Sequence, residues 1–176
     1  MFEHKKIIQI ITYLLSLNNN KLNLLKLMKE LYLIDRLSIS ERDTSLSGDI
    51  YVSMPHGPVL SITLNLIRDD YFKKYIKQIP AKYFPDIELA KSAGDDLLSE
   101  KDKEYINAIS SQFKKYTPKQ LEKYTHNLKE WVDPLGSSIK IRYQDIMKAL
   151  GRSDEEIKQA KLEYEQMSNL SQLLGN

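Results

Sequence analysis

Between Leu24 and Ile39 the chain reads LLKLMKELYLIDRLSI, a stretch apolar over most of the circumference of any helix it forms. At about 100° per residue, Lys26, Lys29, Glu30 and Arg36 gather in one narrow polar stripe, while Leu24, Leu27, Met28, Leu31 and Ile34 fill the opposite side. A helix of this kind, spanning about Lys21 to Ser40, must be covered on several faces. It is predicted to stand at the centre, with the rest of the chain arranged around it.

Asp35 breaks the pattern by falling among Leu24, Met28 and Leu31 on the apolar face, where a carboxylate without partners is costly. Two readings follow. Asp35 accepts hydrogen bonds from the irregular 41–57 segment and ties it to the helix, or it belongs to a functional polar site with His56 or His126.

That irregular segment leads into Ser47–Leu60, which holds two of the six Gly, two of the six Pro and one of the three His. Gly opens backbone conformations closed to other residues, and Pro fixes φ and removes a donor, so Gly57-Pro58 requires a defined path. Ile50-Tyr51-Val52 reads as a short strand, and Pro58 suits the first turn of a helix running to about Asp69. A loop so constrained is a structural corner, a binding surface, or both.

The flanks are predominantly helical. Lys5–Leu17 places Ile7, Ile8, Ile11, Leu14 and Leu15 on one side, and Asn18-Asn19-Asn20 ends it. Pro80 and Pro85 forbid a long helix over 71–93, where Tyr83-Phe84 and Ile87–Ala90, with a turn at Ala93–Asp96 before Leu97-Leu98, predict a small hairpin. Ser99 and Thr117-Pro118-Lys119-Gln120 carry N-terminal capping patterns. They open helices to about Tyr116 and Lys129, the second with Leu121, Tyr124, Thr125, Leu128 and Trp131 on one side and His126 on the other. Ile139–Ile141 is extended, Tyr143–Leu150 helical, and Ser153 caps a last helix whose apolar positions are Ile157, Leu162, Tyr164, Met167 and Leu170. The expected fold class is therefore mainly α, a compact single-domain helical fold with a minor short β-hairpin. Residues 1–151 form its body, and 152–176 a C-terminal helix packed on it or forming an interface.

Several function classes recede at this point. The chain contains no Cys, which excludes thiol catalysis, disulfides and Cys-bearing zinc sites and fits a reducing cytoplasm. Met1-Phe2-Glu3-His4 begins no signal peptide, and Ile7–Leu17 is interrupted by Gln9, Thr12 and Ser16, so no membrane span is expected and the predicted location is cytoplasmic. His4, His56 and His126 lack metal-ligand spacing. No nucleophile elbow or phosphate-binding Gly loop is present. A Ser53, His56 and Asp35 constellation rests on no motif, and neither enzymatic activity nor a cofactor is expected. A net charge of +2 does not announce nucleic acid. Basic residues do gather at 1–40, 68–83 and 110–131, and a helix-turn-helix over 117–150 is conceivable, but Trp131–Ile141 is too long for its tight turn.

Two stretches then act together. Leu25–Arg36 followed by Gly48–Val59 resembles the N-terminal signature of the Panacea domain family, the SocA-like antitoxin domain of bacteria and their phages, in which a KLxKLLYfaD helix leads to a GPV turn. Tyr124–Trp131 is similar to the family's lsHxxxxW element, and the likeness covers roughly residues 5–150. Glu30 departs from a position usually apolar or small, and Leu33-Ile34 replaces Phe-Ala.

The resemblance implies a cytoplasmic, non-enzymatic antitoxin that binds a cognate toxin protein directly. Toxin partners in the family are diverse and include toxic alarmone synthetases, and some members deliver the toxin to a protease instead. A regulator binding its own operon DNA is the alternative from another class. The matched positions are Asp35, Tyr51, His56, Gly57, Pro58, Val59, His126 and Trp131. With Arg36 and Met54 beside them, they are the candidates for partner contact. The oligomeric state stays open.

Overall fold

The computed structural model describes the backbone of residues 2–173 and, in the last helix, side chains as far as Glu163 together with Gln166. Tyr164, Met167 and Leu170, three of the five apolar positions expected on that helix, lie outside the described side chains.

Helix α1 (His4–Leu17) buries Ile7, Ile8, Ile10, Ile11, Leu14 and Leu15 and stops where Asn19 and Asn20 take φ of 55° and 63°, the left-handed region that Asn tolerates. Strand β1 (Lys21–Asn23) follows at once. Asn23 then caps helix α2 (Leu24–Arg42) by accepting from the Leu25 N–H, and Asp43 closes that helix with φ 53°. As the sequence predicts, α2 is the centre, packed against the elements on either side of it. It buries fourteen residues, Lys26, Lys29 and Glu30 among them.

The polar stripe read from periodicity is therefore not a solvent face. The Lys26 Nζ donates to the carbonyls of Phe113, Lys114 and Tyr116 at 3.0, 3.2 and 2.9 Å, closing the end of helix α4 (Glu100–Phe113). Glu30 lies beside it, fully buried, 3.6 Å from the Lys26 ammonium, with no hydrogen bond to either carboxylate oxygen. Burial drives the Glu30 carboxyl up to about 7, with Lys26 opposing.

The fold class also differs from the expectation. Among the described residues there are seven helices and two three-stranded antiparallel sheets, a mixed α/β architecture rather than a helical fold with one hairpin. The first sheet has the order β1-β5-β4, with β4 at Ile76–Ile79 and β5 at Asp86–Leu89. The strand read at Ile87–Ala90 is thus real, but it pairs with Lys21–Asn23 and Ile76–Ile79, not with Leu97-Leu98. The second sheet has the order β3-β2-β6, with β2 at Tyr51–Met54, β3 at Gly57–Leu60 and β6 at Ile139–Ile141.

Helix α3 begins at Ser61 and ends at Arg68, three residues later than Pro58 suggests. Its missing N-terminal cap is supplied from a distance by the Asp49 carboxylate, which accepts from the Ile62 and Thr63 N–H groups at 2.9 Å. Helix α5 (Pro118–His126) carries the capping box expected of it, and α4, where Ser99 reads as an N-cap, carries one completed by Asp102. Helices α6 (Tyr143–Ala149) and α7 (Asp154–Leu173) complete the chain, and Ile157 of α7 is buried in the common core.

Candidate functional site

The residues of the two motifs converge on α2 in two networks, one at each end of the β2-β3 hairpin. The first is built on Asp35, which is 1% exposed. Its Oδ1 accepts from the Leu46 and Ser47 N–H groups at 3.1 and 2.9 Å. Its Oδ2 accepts from Ser45 at 3.2 Å, Tyr51 at 2.8 Å and the Ser47 hydroxyl. Burial raises the Asp35 carboxyl, and these bonds oppose the rise. The anomaly on the apolar face is a tether for the 44–51 loop, one of the two readings the sequence left open. It does not join His56 or His126.

The second network explains the Gly-Pro pair. Pro55 and His56 occupy the centre of the hairpin turn and Gly57 follows with φ 96°, the arrangement of a type I turn closed by a left-handed residue. A Cβ at Gly57 would lie 2.8 Å from the Thr125 hydroxyl and 3.0 Å from Lys29 Cε, so no side chain fits. The Ser61 N–H donates to Ile50 O, and this sets the alternation along β2-β3 so that Pro58 falls at a position making no bond to β2. The missing N–H of Pro58 costs the ladder nothing. Its carbonyl, turned off the sheet edge, accepts from the buried Lys29 Nζ at 2.8 Å.

Lys29 is fully buried, and that burial lowers its ammonium to about 7, with Glu122 pulling the other way. Burial works to raise Glu122, but Lys119 and His56 outweigh it and hold the carboxyl below its ordinary value. Glu122 Oε1 meets the His56 Nδ1 at 3.2 Å and the Lys119 Nζ at 3.0 Å. Helix α5 thus closes over the turn through Glu122 and Thr125.

His126 does not point away from Trp131, as helical phase suggests. The two rings stack at 4.0 Å with 12° between planes, because the helix ends at His126 and the chain turns back. Burial lowers the His126 imidazole, with Glu122 opposing. Trp131 Nε1 donates to Met54 O at 3.3 Å, and the Val132 N–H donates to the Ser53 hydroxyl at 3.3 Å. Arg36 Nε and the Tyr32 hydroxyl both donate to Glu130 Oε1, at 2.6 and 3.0 Å.

Tyr51, Met54, His56, Gly57, Pro58, Val59, His126 and Trp131 are therefore one continuous unit, with Asp35 at its far end and Arg36 joined through Glu130. Val59 supplies core packing, while His56 reaches solvent with its side chain 55% exposed. Ser53, His56 and Asp35 are not assembled: Ser53 serves Val132, His56 serves Glu122 and Asp35 serves the loop. Helices α5 and α6 are separated by a loop and β6, not joined by a tight turn. Among the described residues no group of three or more His, Asp or Glu is placed to hold a metal ion. No helix there is long and apolar enough to cross a membrane.

Sequence reasoning missed Lys29, Glu122, Thr125 and Glu130. Lys29, Thr125 and Glu130 lie within the motif stretches themselves, but periodicity puts Lys29 on the polar stripe and gives no partner for the other two.

In comparisons with known proteins, the sequence profile of the family described as Antitoxin SocA-like, Panacea domain matches residues 27–132. No curated protein and no solved structure matches the chain.

Proposed function

Because the chain belongs to the SocA-like Panacea antitoxin family, we propose that it is the antitoxin of a two-gene toxin–antitoxin pair and neutralises its cognate toxin in the cytoplasm by direct protein–protein binding. The observation that carries this reading is the extent of the match. It begins at Leu27 and ends at Val132, and so contains both networks around α2.

The chemistry of those networks fits binding rather than turnover. Lys29, Glu122, Asp35 and Glu130 are each spent on holding a backbone segment or a neighbouring side chain. What they hold is a rigid frame that keeps the 44–50 loop, the Pro55-His56 turn and the 127–138 segment in fixed positions. A rigid frame lowers the ordering cost of association. Neutralisation then proceeds by covering or distorting the toxin's working surface, without a cofactor and without covalent chemistry.

The test is co-expression in a bacterial host. The product of an adjacent gene, induced alone, arrests growth, and simultaneous expression of this protein restores it. Failure to restore growth against every adjacent product that is toxic alone overturns the proposal.

A further inference from the structure

The turn Pro134–Ser137 presents a leucine where the backbone disfavours one. The Ser137 N–H donates to Pro134 O at 3.0 Å, and the central residues Leu135 and Gly136 have φ of 50° and 86°. Positive φ at both central positions is the type I′ pattern, which favours Asn-Gly or Asp-Gly. An L-residue other than Gly, Asn or Asp in that region is strained. Packing of its side chain against the described residues does not compensate, because Leu135 is 90% exposed.

The turn is nevertheless held firmly. Pro134 is buried, and Asp133 Oδ1 accepts from the Leu135 N–H at 2.9 Å. Strain that persists because its surroundings fix it, and that places an apolar side chain in water, marks a presented residue.

Leu135 is not alone. Val132 is 57% and Ile139 42% exposed, so three large apolar side chains stand in water within eight residues of one fixed loop. Val132 and Ile139 line one groove and Leu135 stands on the turn between them in sequence; single exposed apolar residues are ordinary, whereas a group of them marks an interaction surface. Lys129 and Lys140 bracket the loop. Both are exposed and neither has an ion pair to a described residue. The loop's own acid, Asp133, is engaged by the turn. A groove of about 610 Å³ runs beside it, lined by Lys129, Val132, Ile139, Lys140 and Arg142 among others.

Strand β6 adds a main-chain element. The alternation that turns Tyr51 and Ser53 toward β6 makes Ile141 and Ile139 the bonded partners. The Lys140 N–H and C=O therefore face the open edge of the sheet, where no described strand lies.

We propose that this Leu135-centred patch is the surface that docks the toxin. The matching face on the toxin is an apolar pocket for Leu135, rimmed by Asp and Glu that pair with Lys129 and Lys140. The charge of the bracket selects an acidic rim, and the apolar centre selects a protein over a nucleic acid. This inference rests on the antitoxin reading above and gives it a location.

The test titrates the full-length protein against the purified adjacent-gene toxin by calorimetry, with thermal unfolding measured in parallel. Leu135→Asn is the informative variant, because Asn accepts the left-handed conformation. The melting temperature stays level or rises while toxin affinity falls at least tenfold. Lys129→Glu with Lys140→Glu weakens binding to a similar degree. Tyr83→Ser, which removes a remote side chain 81% exposed, leaves affinity unchanged.

Wild-type affinity in Leu135→Asn, with the parent protein binding normally, overturns the patch and leaves the antitoxin reading standing. Absence of binding by the parent protein overturns both. Two further results also overturn the patch. In one, Leu135→Asn converts a dimer to a monomer while toxin affinity is intact, assigning the patch to a second copy of the chain. In the other, it abolishes a salt-dependent shift of duplex DNA while toxin affinity is intact, assigning the patch to nucleic acid.

Discussion

Replacing Glu30 with glutamine removes a charge that the fold buries without a hydrogen bond. The carboxylate is fully buried, its one charged neighbour is Lys26 at 3.6 Å, and that ammonium is already occupied by three carbonyls of the α4 terminus. The folded-state value is about 7 against an ordinary 4.5, a difference equivalent to about 3 kcal/mol. The sign follows from proton binding. Below about pH 4.5 the group is neutral in both states and Glu and Gln are equivalent. Between about 4.5 and 7 the unfolded chain gives up its proton before the folded one does, so stability attributable to this group is lost as pH rises through that window. Glu30→Gln is therefore more stable than the parent by about 3 kcal/mol near pH 8 and by less than about 1 kcal/mol near pH 5. Urea unfolding at the two pH values, with equal m-values, measures both differences. A variant no more stable than the parent near pH 8, or a gain of the same size at both pH values, refutes the account of this position.

Three further outcomes follow from the same geometry. Gly57→Val meets the Thr125 hydroxyl and the Lys29 stem at a φ of 96°, so the domain loses about 3 kcal/mol or more or fails to fold. An unchanged melting temperature contradicts the reading of the turn. Asp35→Asn turns an amide N–H₂ toward donors and loses about 2–4 kcal/mol, and amide exchange accelerates first at residues 44–51. Uniform acceleration across the chain would show that Asp35 is not a local tether. In the Glu30→Gln background, stability rises with pH from about 7 to 9, because Lys29, lowered to about 7 by burial, sheds its cost as it loses its proton. A flat or falling profile in that range refutes the assignment to Lys29.

Much of the frame was legible in the sequence, and the failures share a physical cause. Capping chemistry is local, so Ser99 and Thr117 announced α4 and α5 correctly. The central placing of α2 and the tethering role open to Asp35 followed from apolar crowding on one segment. Strands of three or four residues carry little periodicity: β2, β5 and β6 register through their β-branched and apolar residues, whereas β1, β3 and β4 do not. Lys21–Asn23 and Pro58–Leu60 read as parts of the neighbouring helices, the second because Pro58 also serves as a helix-start signal. The partner of Lys21–Asn23 comes from distant sequence, as does the β6 partner of Tyr51–Ser53, and those two pairings are invisible for that reason.

Buried charge is the other blind spot. Periodicity assigns Lys26, Lys29 and Glu30 to water, yet each lies inside because α2 has no free face. Two of the lysines counted toward a basic N-terminal segment are thus unavailable to any partner. At the site, Gly57-Pro58 was recognised as a constrained path. The agent of the constraint, Lys29 donating to the Pro58 carbonyl, depended on which way that carbonyl turned. His126 was misplaced because helical phase was carried past the end of α5, where the chain folds back and stacks the ring on Trp131.

Titration of purified toxin with this protein, following the toxin's own activity, bears most directly on the claim that neutralisation is binding without turnover. The account predicts that activity falls in proportion to the protein added and reaches zero at a fixed stoichiometric ratio, with full activity recovered when the two are separated under denaturing conditions and the toxin is refolded. Complete and lasting inactivation by a small fraction of that amount contradicts it.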